Sequence, residues 1–403
     1  MKELWRNQTF RIIVGSDLLQ QLAIWIRNMA LLFFIMEQTN NDPVAVSLLT
    51  VLEYAPIFIF SFIGGALADR WNPKRTMIVG DLLSAASIAG IILLIQAGLW
   101  QSLFAAAFIS AVVSQFAQPS GAKMFKRNVE DAHISAAIAI TQSLQAIFLI
   151  AGPVIGTLVY TKLGVMTSLY SLTVLFLLSA LLLTRLPKWQ RDEEIIAQGL
   201  LADIKAGWKY VYTAKSLRYM SISFAFVGLG VGLIQPLEVF LVTERLQLDK
   251  EAVQYLSAAA GVGLLVGGGL LASIQRTNQK TILLGGILFL AVASIVEVLS
   301  TSFWLTLTMR FLSGAFLAGV NIVIGTLMIQ LVEEHMIGRI NGIITPIFMG
   351  TMLLGSAFAG VLMEATSLFA VFVISAVCIV ISAVPIMGIV FEGEERGTEE
   401  IGS

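Results

Sequence analysis

Gly65-Ala66-Leu67-Ala68-Asp69-Arg70-Trp71-Asn72-Pro73-Lys74-Arg75 is a charged, turn-forming segment set between two apolar runs, 44–68 and 76–97. Each run reaches the roughly 20 helical residues that cross a hydrocarbon core of about 30 Å. Arg70, Lys74 and Arg75 together are too costly to leave in hydrocarbon, and Pro73 cannot continue a helix from its interior. The segment therefore reads as a loop at a membrane face, joining two spanning helices.

The same rhythm runs along all 403 residues. Twelve apolar stretches are expected, at 10–36, 44–68, 76–97, 100–120, 134–160, 164–186, 217–243, 251–273, 280–300, 303–331, 338–363 and 367–391. Most connections are short. The exception, 187–216, is polar and charged. The expected organisation is a six-helix bundle at 1–186, a linker at 187–216, a second six-helix bundle at 217–391 and a tail at 392–403. Within the linker Leu201, Ile204, Trp208 and Val211 recur at helical spacing, opposite Asp203, Lys205 and Lys209, which predicts an amphipathic helix lying at the membrane interface. A solvated spacer is the plainer reading.

Composition agrees. Hydrophobic residues make up 57% and charged residues 13%, and mean hydropathy is +0.86. An ordinary soluble domain carries about 25% charge. A soluble enzyme, a nucleic-acid binder and a disordered chain are thereby excluded. The lone Cys378 forms no internal disulfide, and His133 and His335 alone do not make a His-rich metal site, so neither metal nor cofactor is expected. No phosphate-cradling G-x-x-x-x-G-K-[ST] loop occurs, which points away from ATP as the energy source.

Cations set the orientation. With both termini inside, 20 of the 25 Lys and Arg fall in inner segments, and only Lys162, Arg245 and Lys250 fall outside. Arg27 and Arg310 lie within spans. This asymmetry predicts a multi-pass protein of the cell membrane with cytoplasmic termini, and the polar start Met1-Lys2-Glu3-Leu4-Trp5-Arg6 reads as a cytoplasmic tail. The halves also echo each other. Val129-Glu130-Asp131 matches Val332-Glu333-Glu334, and Gly152 matches Gly355, at an offset of 203; Gly64-Gly65 matches Gly268-Gly269 at 204. A duplicated six-helix unit is the plan of many secondary carriers.

The loop at 65–75 resembles the signature loop of the major facilitator superfamily, G-x-L-a-D-r-x-G-r-k-x. Asn72 stands where the second Gly is usual, and its tolerance of left-handed backbone is expected to keep the turn. The resemblance implies an all-α membrane protein, twelve transmembrane helices in two pseudo-symmetric six-helix bundles, with Gly65, Asp69, Arg70, Lys74, Arg75 and Asp81 forming a cytoplasmic gate. A purely topogenic basic loop is the alternative. Gly152-Pro153-Val154-Ile155-Gly156 in span five resembles the core of the superfamily's antiporter motif, with Phe148 and Thr157 at two usual glycine positions. An ordinary kinked packing helix is the alternative there. The superfamily's span-four arginine is missing, although Arg310-Phe311-Leu312-Ser313-Gly314 partly repeats its pattern in span ten. Met77-Ile78-Val79-Gly80-Asp81-Leu82, Thr141-Gln142-Ser143-Leu144-Gln145 and Leu200-Leu201-Ala202-Asp203-Ile204-Lys205-Ala206-Gly207-Trp208 resemble macrolide-efflux-type drug:proton antiporters.

Ionisable groups at membrane depth need a reason. Asp17, Gln20, Gln21, Arg27 and Asn28 fall within a wedge of about 120° on span one, as expected of a face turned to a polar cavity. Arg27 and Glu53 both lie about 14 Å below the outer surface, so an Arg27–Glu53 pair is geometrically allowed. Either the pair is permanent, or Glu53 leaves it to take a proton. Asp17 is a second proton candidate; a helix–helix hydrogen bond is its plainer role. Glu238, Glu297 and Arg310 are expected at a partly hydrated outer interface; pairing of Glu297 and Arg310, which flank the tight 300–303 turn, as an outer gate is the alternative. A pocket for amphipathic molecules is drawn from Trp25, Tyr54, Phe58, Gln115 and Phe148 in the first half, joined by Gln21 and Asn28. Gln235, Tyr255, Asn321 and Phe348 complete it from the second.

The expected function is export of hydrophobic or amphipathic small molecules, drug- or macrolide-like, by proton antiport with alternating access. No enzyme activity is expected. The partners are a small-molecule substrate, protons and the lipid bilayer, with no nucleic acid, and the carrier is expected to act as a monomer. The alternative is an exporter of one metabolite, siderophore or lysophospholipid, with or without proton coupling.

Overall fold

The computed structural model describes residues 2–68, 71–189, 200–272, 278–333 and 336–389. Among them there is helix and no strand. The chain divides into two compact units, Met1–Ala197 and Gln198–Ser403.

The first unit opens with a short helix α1 (Lys2–Arg6), then α2 (Gln8–Gln38), α3 (Pro43–Ala68), α4 (Pro73–Gln96), α5 (Ser102–Asn128) and α6 (Asp131–Thr184). α6 is two helices fused at Gly164, whose φ of 73° and ψ of 174° turn the chain with a single residue. That backbone is almost closed to residues with a Cβ. The second unit holds α7 (Leu200–Thr213), α8 (Lys215–Ile234), a one-turn α9 (Glu238–Phe240), α10 (Val253–Ala272), α11 (Gln279–Leu299), α12 (Phe303–Leu331), α13 (Ile337–Ala365) and α14 (Leu368–Met387). Ten stretches of the described residues are long and apolar enough to cross a membrane. One of them, 133–184, contains two spans, and α5 adds the remaining one, so the helices match the twelve expected stretches closely.

Span seven is the irregular one. Lys215–Arg245 is long and apolar enough to cross a membrane, but Gln235–Leu237 is a 3₁₀ turn carrying Pro236 and Leu241–Arg245 is a π turn. Proline removes a backbone donor, and the helix re-registers around it.

Both units use one packing plan. In the first, α2 lies on α6, α3 on α5, and α4 on α5 and α6. In the second, α8 lies on α13, α10 on α12, and α11 on α12 and α14. Small residues set the approach, since lipid gives helices no hydrophobic reason to associate and close backbone contact must supply it. A Cβ on Gly156 would stand 2.5 Å from the Trp25 carbonyl oxygen, and a Cβ on Gly355 would press into the backbone of Leu229 and Leu233. Gly156 and Gly355 thus each bring a helix against backbone of the first long span of their unit, whereas Gly152, the sequence match of Gly355, makes room for the Trp25 side chain.

Asn72 corrects an expectation. Its φ of −71° and ψ of 111° are extended, not left-handed, and its side chain accepts from the Arg75 amide as N-cap of α4. Asn278 caps α11 in the same way, accepting from the Lys280 and Thr281 amides. The asparagine is there to satisfy orphan helix donors, which glycine cannot do with a side chain. The N-terminus differs too. Instead of a bare polar tail, α1 buries Leu4 against Phe10, Met124 and Leu183, and Asn7 Nδ2 donates to the Asn128 carbonyl at 2.7 Å. In α7, Val211 is buried in the second unit's core while Trp208 and Tyr212 are exposed, and the helix packs on α8 and α13.

Candidate functional site

The polar wedge of α2 becomes two clusters, one turn-set apart, inside the first unit. Lower on the helix, Gln20 Nε2 donates to Asp81 of α4, 2.9 Å from Oδ1 and 3.2 Å from Oδ2. It also lies 3.2 Å from Ser16 Oγ and 3.4 Å from Ser179 Oγ, and those two hydroxyls are bonded to each other at 2.7 Å. Asp81 and both serines are buried. Asp17 lies close enough to Asp81 for their like charges to interact. Two carboxylates thus share a site whose hydrogen-bond partners among the described residues are neutral.

Seven residues beyond Gln20, Arg27 is buried, 7% exposed. Its Nε and Nη2 donate to Asn28 Oδ1 at 3.1 and 2.8 Å, and its Nη1 donates to Ser110 of α5. Glu53 of α3 interacts with it electrostatically. No hydrogen bond or ion pair joins the two among the described residues, so the expected direct pair is not made. The guanidinium is held by neutral groups while Glu53 faces it through space.

The other expected site residues scatter. Trp25 is wedged on Gly152, and Gly152, Pro153 and Gly156 form the seam between α2 and α6. Phe148 is buried. Gln21, Tyr54 and Phe58 are half-buried in unit one. In unit two, Phe348 meets Phe224 edge-on, Tyr255 is exposed with its ring edge-on to Phe303, Gln235 opens the 3₁₀ turn and Asn321 is exposed. Gln115 sits in α5, and its side chain lies outside the described residues, as do Asp69, Arg70 and the side chain of Gly65's stretch. Lys74 and Arg75 are placed: Lys74 Nζ donates to the Thr184 carbonyl at 2.7 Å and to that of Leu186, capping the end of α6, while Arg75 is exposed.

Ser16, Ser110 and Ser179 escaped the sequence reading. Serine is common in membrane helices, and nothing in spacing distinguishes a serine that meets an acid on another helix. Glu238, Glu297 and Arg310 correct an expectation in part. Glu297 is buried against the guanidinium of Arg310 and is not at a hydrated rim, while the Glu238 side chain, on the same guanidinium, stays 30% exposed.

Known proteins fit this architecture. The family model described as Major Facilitator Superfamily matches residues 16–296 and again 220–402. The uncharacterized MFS-type transporter YkuC of Bacillus subtilis is 24% identical over 359 residues, covering 86% of this chain and 84% of its own. The multidrug efflux pump Tap of Mycolicibacterium fortuitum is 24% identical, with 83% and 84% covered. Macrolide efflux protein A of Streptococcus pyogenes is 23% identical, with 70% and 68% covered. Among solved structures, the nucleoside transporter NupG superposes with a TM-score of 0.76 at 14% identity, over 95% of this chain and 99% of that one. The D-xylose-proton symporter gives 0.74 at 13%, over 96% and 98%. These likenesses establish the fold, and the family match extends over both halves. The chain is a multi-pass membrane protein that belongs to the Major Facilitator Superfamily.

Proposed function

We propose that this transporter exports hydrophobic or amphipathic small molecules, of drug or macrolide type, in exchange for protons by alternating access. The observation that carries the reading is the state of Glu53. Its would-be partner Arg27 is already satisfied by Asn28 and Ser110. Glu53 is therefore the carboxylate that loses least by taking a proton. Asp17, beside Asp81, is the second carrier of protons in this reading. Export is supported by the efflux names of relatives at 23–24% identity. A membrane potential of 100 mV adds about 2.3 kcal/mol per charge moved, enough to bias such a cycle.

In the same reading the carrier is a monomer of the cell membrane with cytoplasmic termini, supported by the distribution of Lys and Arg. Segment 187–216 links bundles 1–186 and 217–391, and Asp69 and Arg70 latch the cytoplasmic side with Lys74 and Arg75. Gln21, Asn28, Tyr54 and Phe58 contribute the first half's share of the substrate surface.

Purified protein in proteoliposomes with a trapped pH dye tests the reading, with a macrolide as the probe. The parent is expected to move protons when the macrolide is added, and Glu53→Gln and Asp17→Asn to lose most of that signal while still binding the compound. Undiminished proton movement in both variants overturns the coupling assignment.

A further inference from the structure

The second unit carries a charge cluster that the scheme above does not use. Arg310, in the second turn of α12, is flanked by carboxylates from two other elements. Its Nη1 donates to Glu238 Oε1 at 2.6 Å, and its Nε lies 3.0 Å from Glu297 Oε2 of α11. The side chains of Arg310 and Glu297 are 13% and 4% exposed, that of Glu238 30%. With all three ionised the cluster holds one net negative charge inside an apolar unit. An uncompensated buried charge of this kind is strongly disfavoured.

The neighbouring elements offer no second cation to the pair. Arg245 turns its Nη2 to the Leu299 carbonyl at 3.1 Å, and Glu244 beside it is exposed. Lys250 and Glu251 belong to the turn before α10, and α10 itself bears Tyr255 alone among titratable groups. α13 carries Arg339 in its first turn and an exposed Glu364 in its last, and α14 carries only Cys378. Among the described residues Arg310 is the one cation seen paired with Glu238 and Glu297.

Two further observations mark the cluster as unfinished. Arg310 Nη2 is shielded from solvent with no hydrogen-bond acceptor, and Nε, close as it is to Glu297, is not aligned as a hydrogen bond. A permanent structural triad would be expected to satisfy these donors. Glu238 also sits where span seven leaves α geometry, between the 3₁₀ turn at Gln235–Leu237 and the π turn at Leu241–Arg245. Broken helices of this kind recur at the ion sites of carriers, because backbone freed from its ladder can re-aim a side chain.

We propose that Glu238 and Glu297 share one exchangeable proton across Arg310, making the triad a proton-binding site of the second unit, separate from Glu53 and Asp17 in the first. The proton comes from water, forms an O–H bond on one carboxylate and brings the cluster from one net negative charge to neutrality; its release restores the charge. The proposal deepens the exchange reading and rests on it for the proton's use, though not for its binding.

Infrared difference spectra between acidic and neutral buffer test it, on full-length protein in lipid vesicles and without substrate. The parent is expected to show a carbonyl band from a protonated, desolvated carboxyl. Glu297→Gln and Glu238→Gln should each lose that component, since each leaves one carboxylate neutralised by Arg310, and Glu53→Gln should keep it. The two variants back each other up: if one fails to fold, the other still reads the site. An unchanged band in a folded variant overturns the proposal and leaves a fixed ion triad. Loss of macrolide-driven proton movement in the parent, with this band present, sinks the exchange reading alone.

Discussion

The indole of Trp25 occupies the space that a side chain on Gly152 would need. The obstruction is one large side chain on α2, so the fit between α2 and α6 is set by these two residues together. Gly152→Ala is expected to lower stability by about 1–3 kcal/mol through overpacking. Pairing it with Trp25→Ala should return part of that loss, because the two changes are not independent. Thermal unfolding of the four proteins in detergent checks this; strict additivity would contradict it.

Gly355 should behave differently. There the atoms in the way are backbone, at Leu229 and Leu233, and backbone cannot swing aside. Gly355→Ala is expected to cost more than Gly152→Ala, and no single truncation on α8 should rescue it. The same melting series, with Leu229→Ala and Leu233→Ala added, decides the matter.

Asn72 gives a test of backbone conformation. As an N-cap at negative φ, its replacement by Ala should cost about 0.5–2 kcal/mol and by Gly only a few tenths. A left-handed residue would instead be stabilised by Gly. Comparing the melting temperatures of Asn72→Ala and Asn72→Gly with the parent separates the two, and a Gly variant more stable than the parent would refute the capping role.

Lys74 anchors the signature loop to the end of α6 through two carbonyls. Lys74→Met keeps the length and removes the charge and both bonds. A loss of about 1–2 kcal/mol is expected, from bonds to a charged donor and from its place at a helix C-terminus. Equal stability of parent and variant would show that the contact contributes nothing.

Gln20 is one of two side-chain donors to Asp81, Ser179 being the other. Gln20→Leu should destabilise the protein by about 1 kcal/mol, since it takes one donor from a buried carboxylate, whereas Gln20→Leu with Asp81→Leu should recover stability. If the single variant unfolds at the parent's temperature, Asp81 has another sufficient partner.

Spans, their number and the duplicated plan were all legible, because hydropathy and length act locally and the bilayer fixes the length. The wedge on span one was legible for the same reason: five polar residues on one face need no knowledge of the partner helix. Its partners were not. Ser110 and Ser179 meet Arg27 and the Gln20 cluster from other helices, and helix rotation, which decides such meetings, is set by packing at positions like Gly152. Glu238, Glu297 and Arg310 were legible in part. Nearness to helix ends suggests water, which Glu238 keeps, and allows the Glu297–Arg310 pair, but the burial of Glu297 depends on three elements folding around one guanidinium. Asn72 shows the remaining failure, a motif position read through the residue it replaces instead of through the helix it starts.

The single-residue reversal at Gly164 also limits what can be built into the molecule. With no loop to lengthen, an epitope or protease site inserted between residues 163 and 165 must unwind helix on both sides, whereas the segment after α4, where Gly98 already turns the chain at positive φ, has slack to accept one. Insertion scanning for topology or labelling should therefore use residues 97–101 and leave the later reversal intact.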